Sequence, residues 1–110
     1  MGISVRGDIV VVPFPFSNLQ GGKRRPALVL AESGGNDVVL CQITSQNVKD
    51  NFAVPITPSD TNGKLAVDSN IRPNKLFTME TSVILYKIGT LSGDKLKSVQ
   101  KKLSNLFGLK

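Results

Sequence analysis

Residues 26–43, PALVLAESGGNDVVLCQI, read as two strands joined by a tight turn, and the rest of the fold is built outward from them. PALVLAE (26–32) and DVVLCQI (37–43) are short apolar runs rich in branched side chains, separated by SGGN. Gly34 and Gly35 supply the positive φ that a two-residue hairpin turn demands. With those glycines at the centre of the turn, opposed positions are those whose numbers sum to 69, so Glu32 faces Asp37, Leu30 faces Val39 and Arg25 faces Thr44. Opposed residues share a face, with Cβ atoms about 4.5–5.5 Å apart. Gln42, next on that face, lies diagonally from Arg25. A cation, a hydroxyl and an amide thus gather at the open end of an otherwise apolar hairpin. Singly, an arginine ahead of a strand is a solvated edge charge and a threonine at a strand end is a good strand former. Together they border SNLQGGKRR (17–25), whose glycines let backbone approach a ligand closely.

Upstream, Gly7-Asp8 followed by IVVV and PFPF reads as a first strand, ended by Pro13 and Pro15, which cannot donate to a central ladder. Downstream, FAVPI (52–56), AVDSNIR (66–72), KLFTM (75–79) and VILYKIGTL (83–91) are further strand candidates, some merging or bending into one another, with turn chemistry in PSDTNG. At Ser92 the period changes. Leu96, Val99, Leu103 and Leu106 recur at spacings of three and four, and Lys95, Lys97, Lys101 and Lys102 mostly fall outside that stripe as a solvated face. Ser92 suits the N-cap, Asp94 the first turn and Gly108 the end of this amphipathic helix. Strands first and a helix last predict a mainly β fold with α: a strongly bent antiparallel sheet or partly open barrel with the helix packed on it.

The 110 residues, 40% hydrophobic and without a low-complexity tract, predict one core and a single domain over 1–110. No apolar segment is long enough for a spanning helix, and Met1–Arg6 lacks a signal-peptide apolar region, so the expected location is cytoplasmic, away from membranes. One cysteine, Cys41, excludes an internal disulfide and reads as a small core residue. The absence of histidine excludes the usual zinc spacings and leaves a catalytic thiol without its usual base, so no cofactor or metal is expected. A net charge of +6 and a pI near 9.8 favour a polyanionic partner, though basic domains also stay soluble this way. Phe14 and Phe16 alternate on one side of their segment, which suits core packing first and base stacking second.

GDIVVVPFPFSNLQGGKRRPALVL, VVLCQITSQ and SNIRPNKLFTM, in that order and spacing, resemble the MazF/PemK family of bacterial toxin–antitoxin toxins across nearly the whole chain. The resemblance implies an SH3-like barrel and a homodimer. It also implies an endoribonuclease, an mRNA interferase that cuts single-stranded RNA at short sequences without metal and is neutralised by a cognate antitoxin. In such toxins the arginine of the R-P pair after the glycine-rich loop and the threonine ending the third strand are catalytic. Here these are Arg25 and Thr44. Gln20, Lys23, Arg24, Gln42, Ser45, Arg72, Asn74 and Lys75 are the accompanying RNA-binding candidates. The chain departs from the pattern in its loop, where K-R precedes Arg25, so Arg24 competes for the catalytic position. Some relatives use a loop histidine and an aspartate two residues after the later arginine. Leu19 and Asn74 stand in those places, which removes that acid–base pair.

RNA carries its own nucleophile, the 2′-hydroxyl, so cleavage needs in-line geometry, stabilisation of the phosphorane and a route for two protons. Arg25 suits the second need, since its planar fork matches two phosphate oxygens. Thr44 suits hydrogen bonding to a non-bridging oxygen. The proton carriers are left open between a guanidinium in an unusual environment, a carboxylate and water. The rival reading is a binding module: CcdB-type gyrase poisons resemble this family in fold and perform no RNA chemistry.

Overall fold

The structure, a computed structural model, describes residues 4–14 and 23–109, with Phe14 and Lys23 described by their backbone alone. Phe16, Leu19 and Gln20 lie outside the described residues. The elements are β1 (Asp8–Phe14), β2 (Lys23–Glu32), β3 (Asp37–Thr44), β4 (Val54–Ile56), β5 (Ser69–Glu80), β6 (Tyr86–Thr90) and α1 (Gly93–Phe107). The strands form one antiparallel six-stranded sheet in the order β4-β5-β3-β2-β1-β6.

The central strands are apolar on both faces because both faces are covered. Ile9, Leu28, Cys41, Ile43 and Ile71 belong to a cluster that includes Val99 of α1, with Leu96 and Leu103 packed against it. Val10, Val12, Ala27, Val29, Val38 and Leu40 form a second cluster on the alternate positions, backed by Phe77, Met79 and Ile84. This double burial explains why IVVV, ALVL and VVLC read as continuous apolar runs instead of alternating ones. Cys41 is fully buried, and burial pushes its thiol up to about 12, so it stays protonated and inert near neutrality.

The expected helix is present. Ser92 Oγ accepts from the Lys95 N–H, Asp94 lies in the first turn, and Gly108 closes the helix at φ 68°. Lys97 and Lys101 are exposed as expected, whereas Lys95 and Lys102 are half-buried, and Lys102 donates from Nζ to the Asn51 carbonyl. Among the described residues no helix is long and apolar enough to cross a membrane.

The central hairpin corrects the expected register near its turn and keeps it further in. Ser33 donates to the Asp37 carbonyl at 3.2 Å, so Gly34, Gly35 and Asn36 form a three-residue loop. Gly34 and Gly35 have the expected positive φ, 87° and 59°. Glu32 therefore pairs with Val38, not Asp37, and Val39 pairs with Ala31, not Leu30. The ladder then shifts at Leu30, a bulge that absorbs the extra turn residue, and Val29↔Leu40, Leu28↔Cys41 and Ala27↔Gln42 resume the expected sum. The two offsets cancel before the functional end of the hairpin. Elsewhere β1 ends at Phe14, between the two prolines, and Pro13 is paired with Arg24. FAVPI contributes only Val54–Ile56, AVDSNIR and KLFTM merge through Pro73 into β5, and β6 begins at Tyr86 after a 3₁₀ turn at Thr81–Val83.

β4 and β6 stand at opposite ends of the strand order, and residues 61–64 join their sides. Thr61 bridges Leu91, Asn62 N–H donates to the Thr90 carbonyl at 3.1 Å, and Lys64 N–H donates to the Ile88 carbonyl at 3.2 Å. The Asn62 side-chain oxygen accepts from the Thr90 N–H at 2.7 Å. This seam curls the sheet into a half-barrel and covers its last edge.

Candidate active site

An open cleft of about 300 Å³ lies at the ends of β2 and β3 opposite the hairpin turn. Arg24, Arg25 and Pro26 of β2 line it together with Ile43, Thr44 and Ser45 at the end of β3 and with Lys64, Leu65 and Ser69 from the seam and the start of β5. A larger hollow of about 930 Å³ lies at the turn end and is lined by Glu32, Asp37 and Glu80 with a single cation, Lys87. A polyanion is repelled by that acidic rim, so the smaller, cationic cleft is the candidate site despite its size.

Hydrogen-bonded pairing of β2 with β3 stops at Ala27↔Gln42, and two residues beyond it Arg25 and Thr44 both line the cleft. Strand alternation puts Arg25 on the face of Ala27 and Gln42, and Arg24 on the opposite one. Arg24 is exposed and Arg25 half-buried. Among the described residues neither has a carboxylate partner. Thr44 is only 7% exposed. Its Oγ1 accepts from the Gln46 N–H at 3.2 Å, which fixes the oxygen and leaves the hydroxyl proton available for donation. Asn70, the β5 partner of Thr44, donates to the Gln46 carbonyl at 3.1 Å and holds the same turn from the other side.

Arg72 pairs directly with Gln42 on β3. Between the Leu76 and Arg72 partners, β5 carries the extra residues Pro73, Asn74 and Lys75 while β3 advances by one position, from Cys41 to Gln42. The odd number of extra residues switches the side-chain phase of β5, so that Arg72 shares the face of Gln42, and the bulge brings Asn74 against the β3–β4 loop. There Asp50 Oδ1 accepts from the Phe52 and Ala53 N–H groups, both at 2.9 Å, an Asx-type turn. Its Oδ2 accepts from Arg72 Nη2 at 3.1 Å and Asn74 Nδ2 at 3.4 Å. The Phe52 N–H above all, then Arg72, Ala53 and Asn74, hold the Asp50 carboxyl below its ordinary range against an opposing desolvation effect. A depressed folded value means that this clamp stabilises the fold above the ordinary aspartate pKa and is lost as pH falls through the lower one.

Of the expected site residues, Arg24, Arg25, Thr44 and Ser45 meet in the cleft, and Gln42 and Arg72 adjoin it on the ladder. Asn74 is engaged with Asp50, Lys75 is exposed in the bulge, only the backbone of Lys23 is described, and Gln20 lies outside the described residues. Lys64, Asn70 and Asp50 were not anticipated. Asp50 is an Asx-turn former just before a strand, a local signal, but its partners are 22 and 24 residues away.

Residues 5–107 match the family model described as the PemK-like, MazF-like toxin of type II toxin–antitoxin systems. The chain belongs to that family. No curated protein sequence matches it. A mycobacterial endoribonuclease in complex with its cognate antitoxin is similar in structure, with TM-score 0.79, 16% identity and 98% of each chain covered. A MazE–MazF complex from Deinococcus radiodurans has TM-score 0.78 and 24% identity, covering 99% of this chain and 100% of the other. The Mycobacterium tuberculosis toxin MazF-mt6 has TM-score 0.75 and 20% identity, covering 94% and 98%. The curled sheet with one C-terminal helix is therefore the MazF-like fold. In this family toxin the seam at residues 61–64 leads into the cleft lining that Lys64 and Leu65 share with Arg25 and Thr44.

Proposed function

We propose that this toxin is a metal-independent endoribonuclease, an mRNA interferase cutting single-stranded RNA at short sequences. It acts as one domain over residues 1–110, in the cytoplasm, as a homodimer, and needs no cofactor. The observation that carries the reading is the cleft in which half-buried Arg25 and the fixed Thr44 hydroxyl stand together, with Arg24 and Lys64 beside them. The substrate 2′-oxygen attacks the adjacent phosphorus in line and the 5′-oxygen leaves, giving a 2′,3′-cyclic phosphate and a 5′-hydroxyl. Arg25 stabilises the charge of the phosphorane, and Thr44 donates to a non-bridging oxygen. The Gln46 N–H holds the Thr44 oxygen before substrate arrives, so little reorganisation of that group is needed at the moment of reaction. Lys23 and Arg24 hold flanking phosphates. Gln42, Ser45, Arg72, Asn74 and Lys75 border the path of the strand, and Gln20 is a further RNA-binding residue by the family resemblance.

The reading has a direct test. Purified protein in EDTA is expected to cut single-stranded RNA and to leave duplex RNA largely intact, because unstacked bases are needed for readout. Activity that disappears with chelator and returns with magnesium overturns the mechanism. DNA breakage in the presence of gyrase, with purified RNA left intact, overturns the reaction class.

The second partner is a cognate antitoxin, as in the mycobacterial and Deinococcus complexes. An acidic segment, disordered when free, suits the cationic surface that carries Arg24, Arg25 and Arg72 through charge complementarity and buried apolar anchors. Saturating antitoxin should abolish both RNA binding and cleavage. Unchanged RNA affinity under those conditions would place the antitoxin elsewhere.

A further inference from the structure

The β3–β4 loop is tied down far more firmly than a surface connection requires. Asp50 spends its two oxygens on four donors, two from its own turn and two from β5. One residue on, the Asn51 carbonyl accepts from Lys102 of α1. The loop is thus pinned between the helix and the bulged strand, and the point of contact on the strand is Arg72.

That contact constrains the guanidinium specifically. Arg72 and Asp50 are 23% and 28% exposed at their side chains, so the pair is partly withdrawn from water. Arg72 Nη2 is committed to Asp50, and Nε is buried with no partner among the described residues. The two hydrogens of Nη1 and the second hydrogen of Nη2 are then the donors left for a phosphate oxygen. Asn74 Oδ1 is also buried and has no partner among the described residues, while the Nδ2 of the same amide donates to Asp50. The carboxylate therefore selects which edge of the guanidinium stays engaged with protein.

Resting on the nuclease reading above, we propose that Asp50 is a positioning residue for RNA cleavage: its carboxylate orients Arg72 beside Gln42 so that Arg72 holds a phosphate next to the one contacted by Arg25. Asp50 touches no RNA in this role. A saturated carboxylate with four donors has no capacity left to take a proton from the substrate, and its action passes through the arginine.

Asp50→Asn isolates the effect. The amide oxygen can keep the Phe52 and Ala53 N–H bonds, so the turn survives, while an NH₂ group replaces the oxygen facing Arg72. The experiment is single-turnover cleavage and equilibrium binding of a single-stranded RNA by the full chain, with Asp50→Asn, Asp50→Glu, Arg72→Ala and the Asp50→Asn/Arg72→Ala double variant. Asp50→Asn should slow cleavage at saturating RNA by about tenfold, with affinity within about threefold, as expected for lost orientation more than lost contact. Asp50→Glu should recover part of the rate. In the Arg72→Ala background, Asp50→Asn should change nothing further, which a general loss of fold would not produce.

A wild-type rate in Asp50→Asn, or equal slowing with and without Arg72, overturns the positioning role and leaves the nuclease reading standing. An increase in rate would show the pair to be an inhibitory lock and also overturn it. A wild-type protein that binds RNA without cutting it removes the nuclease reading itself, and this proposal with it.

Discussion

Arg25→Ala is expected to lower single-turnover RNA cleavage by about a hundredfold or more, the scale of losing one preorganised contact to developing charge. Binding should weaken much less, because flanking phosphates supply most of the affinity. Arg25 is distinguished from its neighbours by position. It is half-buried in the cleft, it shares the face of Gln42, and Pro26 holds its backbone extended. Arg24 reaches the same cleft from an exposed position, where water and salt weaken its field. Thr44→Ala should fall in the class of Arg25→Ala, since it removes a buried, oriented hydroxyl. Lys23→Ala and Arg24→Ala should reduce affinity and its salt dependence while leaving the saturated rate within about tenfold. Loss of cleavage in Arg24→Ala with retention in Arg25→Ala would mean that the extra loop residue has moved the catalytic arginine by one position.

The largest effect on stability is expected from a residue with no chemistry. Gly63 and Gly89 cross backbone to backbone in the seam. A Cβ added at Gly63 would lie 2.0 Å from the Ile88 carbonyl oxygen and 2.6 Å from Gly89 Cα. Neither atom is the free end of a side chain, so the seam itself must open. Gly→Ala also stiffens the unfolded chain, which favours folding by about 0.4–1 kcal/mol, but only where the native backbone accepts the methyl group. Here the overpacking penalty, about 3 kcal/mol at the upper end of its usual range, outweighs that gain. For a domain of this size the thermal midpoint should fall by about 10–20 °C. Thermal unfolding followed by circular dichroism measures it. Because the seam carries Lys64 and Leu65 into the cleft wall, whatever folded protein remains should also bind RNA less tightly. A midpoint within a degree or two of wild type would show that the two glycines do not pack as described.

What the sequence discloses is set by how local each determinant is. The helix was legible to the residue because Ser92, Asp94 and Gly108 act on adjacent turns. The hairpin was legible in kind, through its glycines and apolar runs, but its turn length was not, since two-residue and three-residue loops use the same residues. The register at Gln42 nevertheless came out as expected because the bulge at Leu30 cancels the longer turn, and no local signal in ALVLAE marks that bulge. The merging of two strand candidates across Pro73 was harder to see, because a proline usually ends a ladder; here it sits in a bulge where no donor is needed.

The candidate site divides in the same way. Arg25 and Thr44 were visible through hairpin arithmetic, a short-range argument. Asp50 and the seam at 61–64 were invisible because each is defined by contacts more than twenty residues away: Asp50 to Arg72, Asn62 to Thr90. Arg72 itself was expected among the RNA-binding residues, and its pairing with Asp50, which gives one edge of it to the protein, had no local signal.

The central claim is that the substrate's own 2′-hydroxyl, positioned by Arg25 and Thr44, does the cleaving. It is tested most directly by mapping the cleavage position on a single-stranded RNA in EDTA and then replacing only the 2′-hydroxyl at that nucleotide with hydrogen. The modified strand should bind as the original does and remain uncut by the wild-type protein, while the unmodified strand yields a 2′,3′-cyclic phosphate. Cleavage of the deoxy-substituted position at an undiminished rate would contradict the account.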